Sequence, residues 1–392
     1  AERGSDVEYH AHRSFGLVCD SFDQERLEAM PGNAAVGHVR YSTHGGQTAG
    51  NLQPFHCKTS FGELTIAHNG NLTNADRIRR ELELAGSIFQ GSSDSEVLIH
   101  LLARAKAPDV MGKLQEVLAQ IQGAFSLVLM VNEELYAVRD RYGFRPLVLG
   151  ARDGMQVATS ESCALDLLDM EMVREVEPGE IVHMDGETFR STRFASGERT
   201  AFCAFEPIYF ARPDSKIFNE VVYETRRRMG EQLAREAPAP SADVVIAVPD
   251  SGVPMAMGFA SESKVPLELG LVRNHYVGRT FIQPAQEIRD FGVRLKLNPV
   301  MSALAGKSVV VVDDSIVRGT TSTKIMRMLR QAKVKEIHFR IGSPPITHAC
   351  YYGVDTPQRE RLLAAQKNID EIREMFDCES IGYLSTEGLA KA

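Results

Sequence analysis

The stretch Ser308-Val309-Val310-Val311-Val312-Asp313-Asp314-Ser315-Ile316-Val317-Arg318-Gly319-Thr320-Thr321-Ser322 decides the fold of the second half of this chain. Its four consecutive valines predict a buried strand that ends at two adjacent acids. A loop with hydroxyl residues follows, and then apolar residues recur at helical spacing. A helix N-terminus favours a phosphate, and open α/β sheets bind ligands at the carboxyl ends of their strands. The stretch therefore predicts a site for a ligand with a phosphate and with hydroxyls or a divalent metal.

This stretch resembles the ribose-phosphate signature of type I phosphoribosyltransferases. The resemblance implies that Asp313 and Asp314 hold the ribose hydroxyls and the associated magnesium. It also implies that the 5′-phosphate of phosphoribosyl pyrophosphate binds at a cradle, whose residues are Ser315, Arg318, Gly319, Thr320 and Thr321. The alternative is a buried strand followed by an acidic turn that binds nothing.

A second strand and turn, Val244-Val-Ile-Ala-Val-Pro-Asp-Ser-Gly-Val253, repeats the same pattern. A small residue next to an acid lets the backbone approach an anion closely. Alone, an ordinary turn between a strand and a helix explains it equally well. Beside the first motif, a pyrophosphate loop formed by Asp250, Ser251 and Gly252 is favoured, and the resemblance implies that Ser251 also ligates magnesium.

The segment from Arg273 to Lys296 is long, basic and without regular periodicity. Long loops of this kind are usually functional lids, and cations on a lid can neutralise a polyanionic leaving group. We therefore expect it to close over the site, with Arg279 and Lys296 binding phosphoribosyl pyrophosphate. The alternative is a solvated basic loop.

The composition and charge of the chain argue against some classes of protein. The 392 residues are enough for two cores, and the net charge of −8 argues against nucleic acid as the main partner. No apolar stretch is long enough to span a membrane. The chain has six cysteines without a dense framework, which indicates reduced thiols and a cytoplasmic setting.

The two halves of the chain differ in their pattern of elements. The first half alternates short strands with turns, including a strand predicted at 36–40, and indicates an α+β domain over residues 1–200. The second half alternates apolar strands with helices, including a strand predicted at 267–272. It indicates a doubly wound parallel sheet over residues 201–392.

Three strings resemble the family of glutamine phosphoribosylpyrophosphate amidotransferases: Phe205–Ser215, Tyr276–Gln283 and Val311–Thr321. The resemblance runs over essentially the whole chain. It implies an α+β glutaminase domain of the N-terminal-nucleophile type, followed by an α/β type I phosphoribosyltransferase domain with a parallel sheet. The implied reaction moves glutamine-derived ammonia to C1 of 5-phosphoribosyl 1-pyrophosphate, giving 5-phosphoribosylamine, glutamate and pyrophosphate. This is the committed step of purine biosynthesis.

The strings Gly37–Gly45 and His68–Asn71 resemble the glutaminase half of the same family. The resemblance implies that Arg40 binds the glutamine carboxylate and that Asp94 binds its α-amino group. Asn69 and Gly70 would form the oxyanion hole, a pair of donors aimed at the developing tetrahedral oxygen.

The start of the chain departs from that family, which uses a cysteine at residue one as nucleophile and its α-amino group as base. This sequence begins Ala1-Glu2. The simplest interpretation is that a stretch before Ala1 is absent; an inactive glutaminase or unusual processing are the alternatives. Cys19 and Cys57 are expected to be packed thiols rather than replacement nucleophiles.

Two of the cysteines are candidate ligands of an iron–sulfur cluster. One subgroup of the family holds a [4Fe–4S] cluster with four thiolates. Cys203 and Cys350 stand where two of those ligands belong, whereas the close pair expected near the family's C-terminus is missing from a chain that ends at Ala392. The C-terminal part is therefore expected to be incomplete. Two buried thiols without a cluster are the alternative.

The resemblance also implies partners: glutamine, phosphoribosyl pyrophosphate, and purine nucleotides as feedback inhibitors, with a homodimer or homotetramer as the assembly. Neither nucleic acid nor a membrane is expected as a partner. The rival hypotheses are a regulator that binds phosphoribosyl pyrophosphate without catalysis, and an enzyme that uses only free ammonia because its glutaminase half is inactive.

Overall fold

A computed structural model of the chain describes residues 8–40, 48–196, 199–274 and 297–392. Its residues form two compact units. The first unit contains the described residues of Ala1–Cys203 together with Ile217–Asn219 and Cys350–Asp355. The second contains those of Ala204–Lys216, Glu220–Ala349 and Thr356–Ala392.

The first unit is built on antiparallel sheets. The larger sheet has six strands in the order β1-β2-β3-β4-β8-β9, and the smaller has three in the order β6-β5-β7. The strands are β1 (Phe55–Thr59), β2 (Gly62–Leu72), β3 (Gly123–Val131), β4 (Glu134–Arg139), β5 (Val148–Arg152), β6 (Met155–Thr159), β7 (Glu171–Glu175), β8 (Glu180–Met184) and β9 (Phe189–Arg193).

Amphipathic helices cover one face of the larger sheet because their apolar residues recur at helical spacing. Buried residues of α3, α4 and α5 form one core with those of β2 and β3, for example Ile78, Leu98 and Leu118 with Ile66 and Leu127. The helices of this unit are α1 (Val18–Ser21), α2 (Gln24–Glu28), α3 (Ala75–Leu84), α4 (Glu96–Arg104), α5 (Val110–Leu118), α6 (Cys163–Asp166) and a 3₁₀ turn (Ala49–Asn51).

The strand predicted at 36–40 is wrong. The side chains there do alternate between half-buried and exposed, and Val39 is 76% exposed. However, the segment pairs with no neighbouring strand among the described residues. Alternating side-chain exposure indicates an extended chain with two different faces. A β-strand also requires a neighbouring strand that hydrogen-bonds to its backbone groups.

The second unit is built on a parallel sheet of four strands in the order β12-β15-β16-β17. Helices cover both of its faces. The valines of β15 form a continuous apolar run because both faces of this strand are buried. Val309 and Val311 pack in one core, and Val310 and Val312 pack in the core on the opposite face. All four are fully buried, as expected for a strand between two helical layers.

The strands of the second half are β10 (Lys216–Ile217), β11 (Glu220–Val221), β12 (Val244–Ala247), β13 (Leu271–Arg273), β14 (Leu297–Pro299), β15 (Ser308–Asp313), β16 (Glu336–Ile341) and β17 (Ser380–Tyr383). The helices are α7 (Val222–Glu236), α8 (Val253–Ser263), α9 (Met301–Leu304), α10 (Thr320–Gln331), α11 (Leu363–Gln366), α12 (Ile369–Phe376) and α13 (Thr386–Lys391), with a π-helical turn (Glu206–Phe210) and a 3₁₀ turn (Arg359–Arg361).

The strand predicted at 267–272 is only partly present. Leu267 makes a single parallel bridge to Val245 at the edge of the sheet, and the chain then leaves the sheet. Residues Leu271–Arg273 pair instead with Leu297–Pro299 in an antiparallel ribbon. The predicted fold class, an α+β half followed by an α/β half with a parallel sheet, is confirmed. Within the described ranges, no helix has the length and apolar character needed to cross a bilayer.

Candidate functional site

The carboxyl edge of the parallel sheet in the second unit carries the two acids predicted from the sequence. Asp313 is the last residue of β15 and Asp314 follows it; they are only 7% and 5% exposed. The carbonyl oxygen of Asp313 accepts a hydrogen bond from Gly342 N at 2.9 Å, which ties the end of β15 to the end of β16. Two carboxylates are therefore held side by side at the sheet edge, largely shielded from water.

The Asp314 carboxylate joins two loops. Its Oδ1 accepts a hydrogen bond from Ser251 Oγ at 2.5 Å, and its Oδ2 accepts one from Ser315 Oγ at 2.6 Å. Ser251 belongs to the loop after β12, so this contact brings the predicted pyrophosphate loop against the predicted ribose-binding acids. Burial, and then the neighbouring Asp314 charge, raise the pKa of Asp313 well above its ordinary value.

The loop after β12 approaches the backbone of β15 closely. A Cβ atom on Gly252 would lie 2.7 Å from the carbonyl oxygen of Val312 and 2.8 Å from that of Val248. Any side chain would therefore displace strand backbone. Asp250 is exposed and forms an ion pair with Arg273, at the end of β13.

The predicted phosphate cradle lies at the N-terminus of α10. Gly319 is the N-cap residue with a φ of +75°, and a Cβ there would lie 2.8 Å from Leu363 Cδ2, so both backbone and packing require glycine. Arg318, Thr320 and Thr321 are exposed at this helix start, and Ser315 is half-buried. The first N–H groups of any helix lack intrahelical acceptors, which makes this end suitable for an anion. Residues 275–296 of the predicted lid, with Arg279 and Lys296, lie outside the described residues.

Beyond Ile66, the edge of β2 that faces away from β3 pairs with no other strand among the described residues, and it presents the predicted oxyanion donors. Strand β1 pairs with β2 only as far as Ile66, whereas β3 pairs with it through Leu72. Along this edge His68 N donates to Gln53 Oε1 at 2.7 Å, and Leu72 N donates to Asp94 Oδ2 at 2.8 Å. Because N–H groups two residues apart point the same way in a strand, the Gly70 N–H points from this edge between them. Asn69 is the half-buried residue before it.

Histidines that the sequence reading missed support this edge. His38 Nε2 lies 3.1 Å from the carbonyl oxygen of His68 and must carry the proton, because a carbonyl only accepts. The His68 ring contacts Ser95 Oγ at 2.8 Å, and Asp94 Oδ2 lies 3.7 Å from its Nδ1. The pKa of His38 is lowered to about 4, mainly by burial; the hydrogen bond to the His68 carbonyl opposes this shift, and the nearby His68 and Arg40 contribute to it.

These contacts gather Asn69, Gly70 and Asp94 along one edge of β2, and His38 brings the segment that contains Arg40 to the same edge. The signal that could have found the two histidines is strand periodicity. His38 lies two residues before Arg40, and His68 lies two residues before Gly70. Each histidine therefore shares a side of its extended segment with a predicted site residue.

Cys203 and Cys350 both lie in the first unit, in segments that each contact Phe144. Cys203 N donates to the carbonyl oxygen of Phe144 at 3.0 Å, while the ring of Tyr352 stacks on the Phe144 ring with centroids 4.4 Å apart. Cys350 Sγ accepts a hydrogen bond from Tyr352 N at 3.2 Å. Over the described parts of the chain, no group of three or more His, Cys, Asp or Glu side chains is arranged to hold a metal ion.

Three of the other cysteines differ in exposure. The expectation that Cys19 is packed is wrong: it is exposed on α1, a helix with no buried residue. Cys57 is half-buried on β1, and burial raises its pKa. Cys378, in the second unit, is buried in the core, and burial raises its pKa to about 11. A raised pKa disfavours the thiolate, so neither Cys57 nor Cys378 is suited to nucleophilic chemistry.

Two domain families match the chain in the positions that these sites occupy. A glutamine amidotransferase domain matches residues 38–166, and a phosphoribosyl transferase domain matches residues 225–341. The first range contains the β2 edge and Asp94, and the second contains Asp313, Asp314 and the start of α10. Fold and sites together define a glutamine amidotransferase joined to a phosphoribosyltransferase.

Relatives and solved structures with both domains place the chain more closely. Amidophosphoribosyltransferase 2, chloroplastic, of Arabidopsis thaliana is 50% identical over 96% of this chain and 67% of its own length. Amidophosphoribosyltransferase of Methanocaldococcus jannaschii is 48% identical over 98% of this chain and 85% of its own length. The solved glutamine phosphoribosylpyrophosphate amidotransferase of B. subtilis, complexed with ADP and GMP, superposes with a TM-score of 0.89 at 43% identity, covering 96% of this chain and 82% of that one. This chain belongs to the amidophosphoribosyltransferase family.

The family identified from the sequence, its class as a glutamine amidotransferase-type glycosyltransferase and its link to purine biosynthesis are thereby confirmed. The chain spans about two thirds of the length of the Arabidopsis relatives, 67% of one and 66% of another. The roles of individual site residues, the magnesium and the iron–sulfur cluster stay predictions.

Proposed function

We propose that the protein containing this chain takes ammonia from glutamine and attaches it to C1 of 5-phosphoribosyl 1-pyrophosphate. The products are 5-phosphoribosylamine, glutamate and pyrophosphate. Residues 1–200 form the glutaminase domain and residues 201–392 the transferase domain. The observation that carries the proposal is the buried Asp313–Asp314 pair, which precedes a helix N-terminus and is bonded to the loop after β12.

At the transferase site, each part of the substrate has a chemical partner. The Asp313 and Asp314 carboxylates hold the ribose hydroxyls, and the cradle at α10 holds the 5′-phosphate. Pyrophosphate leaves past Asp250, Ser251 and Gly252. As it leaves, positive charge builds on the ribose ring, and buried carboxylates stabilise that charge more strongly than water does. Side-chain proton transfer is not needed for this step.

Magnesium fits the residues present. Ser251, Asp313 and Asp314 offer hydroxyl and carboxylate oxygens, the donors that Mg²⁺ prefers. The two hydrogen bonds to Asp314 use about half of the acceptor positions of a carboxylate, so a cation can still bind. When bound, magnesium supplies charge neutralisation of the departing pyrophosphate.

At the glutaminase site, binding and catalysis use different groups. Arg40 binds the carboxylate of glutamine, and Asp94 binds its α-amino group. The Gly70 N–H and the Asn69 side chain donate to the oxygen that becomes negative in the tetrahedral intermediate. The His38 and Gln53 contacts to His68 fix the backbone immediately before these donors.

Cys203 and Cys350 are proposed as two ligands of a [4Fe–4S] cluster. The segments that carry them both contact Phe144, Cys203 through its backbone N–H and the Cys350 segment through the Tyr352 ring, and this supports the role. Such a cluster needs four thiolates, of which these two would supply half. When bound, a cluster would cross-link the two segments.

The proposal extends to partners and setting. Purine nucleotides are proposed as feedback inhibitors, in line with the ADP and GMP bound to the B. subtilis relative. A homodimer or homotetramer in the cytoplasm is proposed, and neither nucleic acid nor a membrane is a partner.

The protein expressed from its complete gene tests this function. Phosphoribosylamine formation should occur with glutamine and with free ammonia, and Asp313→Asn with Asp314→Asn should abolish both activities. Asn69→Ala should abolish only the first. Asp243→Asn is the matched control, because its carboxylate binds Ser308 N at the opposite, amino end of β15. Activity with ammonia alone would favour an inactive glutaminase half, and binding without turnover would favour a regulator.

A further inference from the structure

The segment Cys350–Asp355 comes from the second half of the sequence but packs in the first unit. The chain on both sides of it belongs to the second unit. Its contacts converge on strand β2 beside the glutaminase residues. Asn71 Nδ2 donates to the carbonyl oxygen of Tyr351 at 2.9 Å, one residue after Gly70.

Gly353 touches the backbone of Gly70 itself. A Cβ atom on Gly353 would lie 2.7 Å from Gly70 C, 2.8 Å from its carbonyl oxygen and 2.9 Å from its Cα. These are backbone atoms, so no side-chain rotation could relieve the contact. Gly353 also has a φ of +95°, which an L side chain rarely adopts.

Gly70 is equally confined on another side. A Cβ atom on Gly70 would lie 2.0 Å from the carbonyl oxygen of Ala124 on β3. The Gly70 backbone is therefore held between Ala124 and Gly353. Both contacts fix the direction of its peptide N–H, which points from the edge of β2 opposite β3.

Gly353 is itself anchored by its neighbour. The Tyr352 ring stacks on Phe144 with an interplanar angle of 18°, and the Tyr352 N–H donates to Cys350 Sγ at 3.2 Å. Offset stacking of this kind contributes energy beyond the burial of the two rings. The contact with Gly70 is thus part of a segment fixed at several points.

We propose that Gly353 is a positioning residue of the glutaminase: it holds the Gly70 N–H in the direction that the oxyanion requires. This inference rests on the proposed function, because it assigns a consequence to the oxyanion role of Gly70. Oxyanion donors act mainly in the transition state, so their displacement lowers kcat more than it raises KM.

The test is Gly353→Ala in the protein expressed from its complete gene. The added methyl must displace Gly70, and a misplacement of about 1 Å costs about 10²-fold in rate. We expect glutamine-dependent kcat to fall by about 10²-fold with little change in the KM for glutamine, while the ammonia-dependent rate stays at the wild-type value. Amide exchange of a peptide containing residues 68–72 should become faster.

Gly186→Ala is the matched control. Gly186 has a φ of +89°, close to that of Gly353, but a Cβ there has no heavy atom within 4 Å. Both variants therefore strain a left-handed backbone, and only one pushes on Gly70. Tyr352→Leu, which removes the stack without adding bulk, should lower glutamine-dependent kcat by a smaller factor.

The results of these experiments distinguish a failure of the proposed glutaminase function from a failure of the positioning role of Gly353. Wild-type protein without glutamine-dependent turnover overturns the glutaminase function and this inference with it. An active wild type with Gly353→Ala no slower than Gly186→Ala overturns this inference alone. Equal loss of the glutamine-dependent and ammonia-dependent rates in both Gly353→Ala and Tyr352→Leu shows a general structural role and also overturns it.

Discussion

Replacement of His38 by glutamine is expected to remove a pH-dependent loss of stability. Burial lowers the pKa of His38 to about 4 from 6.5. Between these two values the unfolded chain binds a proton at His38, whereas the folded chain does not. The stability linked to this group is therefore fully present above pH 6.5 and falls as the solution becomes more acidic. A pKa shift of this size lowers the free energy of unfolding by about 3 kcal/mol well below pH 4. At pH 4.5 the loss is about 2.5 kcal/mol.

The measurement compares urea unfolding of wild type and His38→Gln at pH 7.5 and pH 4.5. Glutamine keeps an N–H donor for the His68 carbonyl but has no titrating ring. Carboxyl groups also titrate between these pH values in both proteins. The comparison therefore uses only the difference between the stability that wild type loses and the stability that His38→Gln loses. Wild type should lose about 2.5 kcal/mol more than His38→Gln. His348→Gln, at an exposed histidine in the second unit, is the control. Equal losses in wild type and His38→Gln, or the same effect from His348→Gln, would refute the reasoning.

Three other substitutions test particular contacts. Ser251→Ala removes the 2.5 Å hydrogen bond to Asp314 and should lower the free energy of unfolding by about 1.5–3 kcal/mol, with weaker binding of magnesium phosphoribosyl pyrophosphate in calorimetry; unchanged unfolding and binding would contradict it. Glu175→Ala leaves the buried Arg139 guanidinium without its ion-pair partner and should cost about 3–5 kcal/mol in denaturant unfolding, whereas a cost below about 1 kcal/mol would show that the pair is not buried as described. Gly252→Ala places a methyl 2.7 Å from the Val312 carbonyl and should cost about 1–3 kcal/mol and weaken pyrophosphate binding; a neutral result would mean that the loop is not packed on β15.

The transferase half could be predicted well because its signals are local. The valines of β15, the acids after them and the helix that follows are contiguous, and buried parallel strands read as apolar runs. The hydrogen bond between Ser251 and Asp314 was not predictable as a distance. However, both residues follow parallel strands, whose carboxyl ends meet at one edge.

The failures have a physical cause in long-range pairing. Residues 36–40 alternate like a strand but lack a partner, and residues 267–272 leave the sheet after one bridge. Neither outcome is encoded in the local pattern of apolar residues. The packing of Gly353 on Gly70 joins positions 283 residues apart (353 − 70), and no periodicity reports such a contact. The periodicity of the two segments can point to His38 and His68, but it gives no sign of the groups that these histidines contact.

Our main proposal is that Asp313, Asp314 and the N-terminal end of α10 bind a phosphorylated ribose. Isothermal titration of phosphoribosyl pyrophosphate with magnesium into this chain tests it most directly. We predict saturable binding to wild type and to the Asp243→Asn control, and loss of binding when Asp313 and Asp314 are both replaced by asparagine. The absence of heat with wild type, or an unchanged affinity in the double variant, would contradict the account.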